Sequence, residues 1–215
     1  MEEKRGFLMN TQKQELLIKW LQLLFYARVA SLCLSVLEYV PALSRIADGV
    51  GKVISIGIIW CLFQLGPVIG TYAKSGFIRA VAFCLGALVT VINMAYLLMM
   101  GQALETGIWA QIYLLVYFAL SVVAIWFEYS AHRLAAGENS RLGNAWSFLF
   151  VCNLIFSVLG TGASFVLALP EVARNVDTEI ITIVGTLTQL GNKVFSALCL
   201  WFLYQTLRTV KTENP

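Results

Sequence analysis

The sequence predicts an all-α, polytopic membrane bundle of six transmembrane helices, built from two or three parallel helical-hairpin repeats. Three observations carry that prediction. The 215 residues are 59% hydrophobic and only 13% charged, where soluble domains carry roughly 25% charged residues. The apolar residues fall into six runs long enough to cross a bilayer. The chain also repeats itself at positions where chance matches are rare.

A spanning helix needs about 20 mostly apolar residues. The segments 17–40, 52–71, 77–101, 108–131, 145–169 and 179–207 qualify, and together they form one membrane domain over 1–215. Pro67 lies within the second span, where a kink is expected. The breaks VPALSRIADGVGK, TYAKSG, GQALETG, AAGENSRLGN and LPEVARNVD carry turn residues and charge. In the fourth break, Gly137 ends the preceding helix, and Asn139 or Ser140 is available to cap the next.

Basic residues set the orientation. With the N-terminus inside, Lys4, Arg5, Lys13, Lys19, Lys74, Arg79, Arg133, Arg141, Arg208 and Lys211 fall on the cytosolic side. Arg45, Lys52, Arg174 and Lys193 fall on the outer side, and Arg28 lies within the first span. A multi-pass protein of a bacterial-type cytoplasmic membrane, with both termini cytosolic, is the expected topology. The opening MEEKRGFLMNTQKQEL mixes both charge signs and reads as a cytosolic lead, not a signal peptide.

The repeat is visible by direct comparison. Residues 52–64, KVISIGIIWCLFQ, align with residues 193–205, KVFSALCLWFLYQ, sharing Lys, Val, Ser, Trp, Leu and Gln in register. The preceding loops, VPALSRIAD at 40–48 and LPEVARNVD at 169–177, share Pro, Arg and Asp. WFEYSAHR at 126–133 matches WFLYQTLR at 201–208, which suggests a third copy. The hairpins are then about 17–71, 77–133 and 145–208, all entering from the cytosol.

The repeat sorts architecture from exception. Lys193 matches Lys52 and is expected near the outer headgroups, where a lysine snorkels. Trp60, Trp126 and Trp201 fit an inner aromatic belt, with Trp20 and Trp146 at the entry of odd helices. Two residues depart from the pattern. Arg28 lies about 12 Å along the helix from Trp20, and Glu128 replaces Leu62 and Leu203 of the other hairpins. Charges at such depth cost roughly 2.5–3.5 kcal/mol each at the bilayer centre and face partners or water. Arg28 and Glu128 are therefore candidates for a pair inside the bundle. If they pair, Arg28→Glu combined with Glu128→Arg restores the stability that each single swap loses.

His132, the single histidine, lies four residues after Glu128 and so shares its helical face. Arg28, Glu128 and His132 form the candidate polar cluster. One His and one Glu are too few ligands for zinc, and Ser130 points to another face. His132 is read as a headgroup-level residue at the inner mouth. Cys33, Cys61, Cys84, Cys152 and Cys199 lie in apolar runs without a C-x-x-C pair, as small hydrophobes do. Gly66 and Gly70 form a G-x-x-x-G, and GTGAS at 160–164 permits close helix approach.

No catalytic constellation, cofactor motif or ATP-binding loop is present, and a net charge of +3 argues against nucleic acid. The sequence favours a membrane-embedded accessory or interaction component, in contact with lipid and with a membrane protein partner or further copies of itself. The alternative is a small passive or ion-coupled transporter or channel, using a polar pair at the cytosolic half of the bundle. A conduction path should show as a polar stripe through several helices, and Asn93, Gln111, Asn153, Gln189 and Asn192 are too scattered along the chain to prove one.

Overall fold

The computed structural model describes residues 11–101, 108–136, 140–167 and 177–213. Six helices account for nearly all of them: α1 (Thr11–Leu37), α2 (Ser44–Leu65), α3 (Gly70–Met100), α4 (Ile108–Ala136), α5 (Ser140–Leu167) and α6 (Thr178–Glu213). Five of them, α1 to α5, contain stretches long and apolar enough to cross a membrane. The sixth is interrupted by Gln189, Asn192, Lys193 and Gln205, which lower its hydropathy. Gly137, Asn139 and the motif from Pro170 to Arg174 lie outside the described residues.

The boundaries of the second and third elements differ from the expected ones. Pro67 does not kink α2; it follows the end of the helix. Proline has no N–H to give to the carbonyl four residues back, and the Gly66 N–H closes onto the Phe63 carbonyl instead. Ile69 is extended, and its carbonyl accepts from Tyr72 as α3 begins. The turn is therefore only four residues long, and TYAKSG, expected as a loop, is helical. A Cβ on Gly66 would stand 2.7 Å from Ala73 Cβ and 2.9 Å from the Phe63 carbonyl. Only glycine allows so sharp a reversal. At the far end of α3, Gly101 adopts φ 67° and returns its N–H to Leu97, terminating the helix.

Each helix packs against its neighbours in sequence, and α6 packs against α1, closing a six-membered ring. A contact between α4 and α6 crosses it. Apolar and polar side chains are distributed inside out. Val53, Leu98 and Met99 are 67%, 80% and 80% exposed on the outside, while Glu128, His132, Ser157 and Thr188 are buried. Such a surface matches lipid rather than water.

The apolar core is confined to one end. Leu17, Leu21 and Leu24 of α1, Leu62 and Leu65 of α2, Tyr72 of α3, and Leu200 and Leu203 of α6 are wholly buried there. This is the end at which α1 begins and α2 finishes. Towards the other end the ring is hollow.

Candidate functional site: an ion cluster beneath a polar cavity

Glu128 sits on the inner face of α4, 5% exposed. Arg28 of α1 donates from one Nη2 to both of its carboxylate oxygens, at 3.0 Å each. Arg79 of α3 donates to Oε2 at 2.6 Å. One carboxylate thus holds two guanidiniums from two other helices. Burying charge is costly unless it is paired and hydrogen-bonded, and this arrangement meets that condition for Glu128. It leaves the cluster with one surplus positive charge.

Backbone geometry explains why these three meet. Ser75, one turn before Arg79, donates to the Ala124 carbonyl at 2.9 Å, one turn before Glu128. That bond fixes the register of α3 against α4. Gly76 lets α2 come close to α3, since a Cβ there would lie 3.1 Å from Leu62 Cβ. Arg28 reaches Glu128 from α1, which is not a neighbour of α4 in the ring.

His132 lies one turn further along α4 and is 4% exposed. Its Nδ1 is 2.7 Å from the Tyr72 hydroxyl, and its Nε2 is 3.9 Å from Glu128 Oε1. Its burial comes from Tyr72, at the start of α3, which covers the imidazole ring. Among the described residues, no group of three metal-ligating side chains converges.

Above the cluster the ring encloses a cavity of about 500 Å³ to which all six helices contribute. On α5 the wall is Asn153, Phe156, Ser157, Gly160, Thr161 and Ser164. These spacings of three and four trace one face of a helix, over roughly 16 Å at 1.5 Å per residue. On α6 the wall is Gln189, Asn192, Lys193 and Ser196, again one face. Arg28 and Arg79 lie on the same wall. Their Nε atoms and Asn153 Oδ1 are buried without a hydrogen-bond partner among the described residues. A smaller void of about 20 Å³ lies between Glu128, His132, Asn153 and Cys199, room for about one water molecule.

Lys193 turns into the ring: it lines this cavity and donates to Ser35, two residues before α1 ends, whose own hydroxyl donates to the Ser31 carbonyl. Its sequence counterpart Lys52 behaves differently, pairing with Asp48 at 2.7 Å with both side chains 60% exposed. The difference follows from where the two lysines sit, on the outside of α2 and on the inside of α6.

The structure therefore brings Arg28, Glu128 and His132 into one region and adds three residues that sequence reasoning missed. By charge Arg79 groups with the cytosolic basic residues, yet it lies inside the expected third span, where an antiparallel α3 matches it to Glu128. Tyr72 falls in the expected loop TYAKSG but opens α3. The match of Lys193 to Lys52 conceals that only Lys193 faces the cavity. Of the scattered amides, Asn153, Gln189 and Asn192 share the cavity wall. The chain matches no known protein family, no curated protein and no solved structure.

Proposed function

We propose that this protein is a small membrane transporter or channel, passive or ion-coupled, whose pathway runs through the hollow half of the ring. The observation that carries the reading is the cavity of about 500 Å³ with polar faces of α5 and α6 turned into it. Polar side chains within spans are costly, and they mark pathways for water, ions or solutes. Of the five amides that look scattered along the chain, three share this wall, which favours a pathway over a purely accessory role. Oriented by its basic residues, with both termini cytosolic in a bacterial-type cytoplasmic membrane, the protein has its apolar plug inside and its cavity facing outward.

The hairpin repeat fits this picture. Ser55, Ser121 and Ser196 hold equivalent positions in the three hairpins, and all three line the cavity. Leu62, Glu128 and Leu203 are equivalent and all buried, at 0%, 5% and 0% exposure. Trp60, Trp126 and Trp201 are equivalent and all exposed. That each hairpin lends the same aligned serine to a common cavity supports a ring assembled by repetition.

The test is thiol accessibility in a background with the native cysteines replaced. Ser157→Cys sits on the cavity wall, and Val158→Cys sits on the outer face of the same helix. A membrane-impermeant thiosulfonate should modify Ser157→Cys in right-side-out vesicles and, more slowly, in inverted ones, while Val158→Cys stays unmodified. Modification from one side under every condition would refute transport and leave a one-sided binding site. No modification from either side would refute a wet cavity altogether.

A further inference from the structure

The charge on the cavity wall says what it would accept. Arg28, Arg79 and Lys193 line it, and among the described residues no aspartate or glutamate does. Glu128, beneath the wall, offsets one of these three charges through its contacts with the two arginines. Lys193 has no carboxylate within ion-pair distance among the described residues; its hydrogen-bond partner is the neutral Ser35. Glu38, exposed beyond the end of α1, acts on Lys193 only from a distance. The wall thus keeps a surplus of positive charge in surroundings of low dielectric, where the field of a fixed charge reaches further than in water. The remaining polar wall is hydroxyls and amides, which donate hydrogen bonds to oxyanions without competing in charge.

We propose that the cavity binds a small oxyanion, a carboxylate or a phosphate, with Lys193 as its direct contact and the surplus charge of the Arg28–Arg79–Glu128 cluster as the field that draws it in. The proposal rests on the cavity being wet, as in the reading above, and it names the substrate class. The volume suits it, since small-molecule sites run to roughly 300–1,000 Å³. The donor set suits it as well. An ammonium serves as a compact charge for a phosphate or carboxylate, with the guanidiniums held as a fixed second layer. The same oxyanion chemistry belongs to a dissolved solute and to the headgroup of an anionic phospholipid, and the experiment separates them.

Purified full-length protein in neutral detergent is titrated with inorganic phosphate, with citrate and with choline, and separately with phosphatidylglycerol in mixed micelles, reading thermal stabilisation and equilibrium binding. Saturable binding of phosphate or citrate, weakening as salt is added, is the expected result and identifies a solute site. Saturation by phosphatidylglycerol alone supports the same chemistry with a lipid headgroup as its source. Lys193→Gln should weaken binding about tenfold or more, the effect of losing one charge-assisted hydrogen bond. Lys193→Arg should retain binding, and Lys52→Gln, on the outer surface, should leave it unchanged. Preference for choline, absence of saturable oxyanion binding, or equal affinity in Lys193→Gln would overturn the proposal. If Ser157→Cys is nonetheless modified from both sides, transport stands and the substrate class is wrong. If it is modified from neither, the wet cavity fails as well.

Discussion

Replacing Glu128 by glutamine gives the most discriminating test of the ion cluster. Three charge-assisted hydrogen bonds converge on this carboxylate, two from Arg28 at 3.0 Å and one from Arg79 at 2.6 Å. Glu128→Gln leaves two buried guanidiniums facing each other with no counter-charge. Removing one partner of a buried pair costs about 3–5 kcal/mol, and here two cations are stranded by one change. Arg28→Gln, by contrast, leaves Arg79 and Glu128 as a neutral pair and costs about 1.5–3 kcal/mol, the worth of a hydrogen bond to a charged group. The order of damage is therefore Glu128→Gln first, with Arg28→Gln and Arg79→Gln well behind. Helicity followed by far-ultraviolet circular dichroism during a titration from mild detergent into dodecyl sulfate reads these differences. Equal stability for Glu128→Gln and Arg28→Gln would refute the two-to-one cluster. The double swap, Arg28→Glu with Glu128→Arg, is now expected to restore stability only in part, because the arginine placed at position 128 faces Arg79.

Two further substitutions probe the neighbouring geometry. Tyr72→Phe removes the hydroxyl held 2.7 Å from His132 Nδ1 and should cost about 1 kcal/mol in the same titration, without loss of helix content. Gly66→Ala drives a Cβ to 2.7 Å from Ala73 and 2.9 Å from a backbone carbonyl, so it should destabilise by about 1–3 kcal/mol, as overpacking does. Gly70→Ala meets nothing within 4 Å and should be neutral. Equal effects of the two glycine changes in a thermal melt would show that the pair serves some contact other than the α2–α3 reversal.

What could be read from the sequence was what depends on periodicity and on cost. Apolar runs of helical length announced the helices, and the depth of Arg28 and Glu128 singled them out because charge is expensive there. The edges of the runs misled. Between Leu65 and Gly70 the boundary is set by a missing N–H on Pro67 and a missing Cβ on Gly66, and neither alters hydropathy much. Tyr72 and Arg79 were lost for that reason, one to a supposed loop and the other to a cytosolic margin. The cavity was illegible for a different reason. Its wall is made of serines and a threonine as well as amides, and most of these are spaced out along their helices among apolar neighbours. Only the ring closure of α6 on α1 turns those separate stripes to a common centre, and ring closure is a property of six helices together.

An ion cluster at this position cannot be explained by stability. Leu62 and Leu203, which align with Glu128 in the sequence, are wholly buried in α2 and α6, so plain apolar residues pack well in this part of the ring. Exchanging a buried ion cluster for hydrophobic residues of similar size is often neutral or stabilising, by up to about 4 kcal/mol. What the cluster supplies that leucine cannot is a tie across the ring from α1 to α4, which are not neighbours, made at the same carboxylate that holds α3. Arg28 of α1 and Arg79 of α3 are held to one carboxylate of α4, at the level where the apolar plug gives way to the cavity. A leucine contact at that level would be apolar and non-directional, whereas guanidinium–carboxylate bonds fix both distance and orientation. The same bonds leave net positive charge at the base of a polar cavity, which a neutral packing contact would not. On the proposed reading, position and sign of charge together make the cluster the floor of the binding cavity, a role that leucine at this position could not fill.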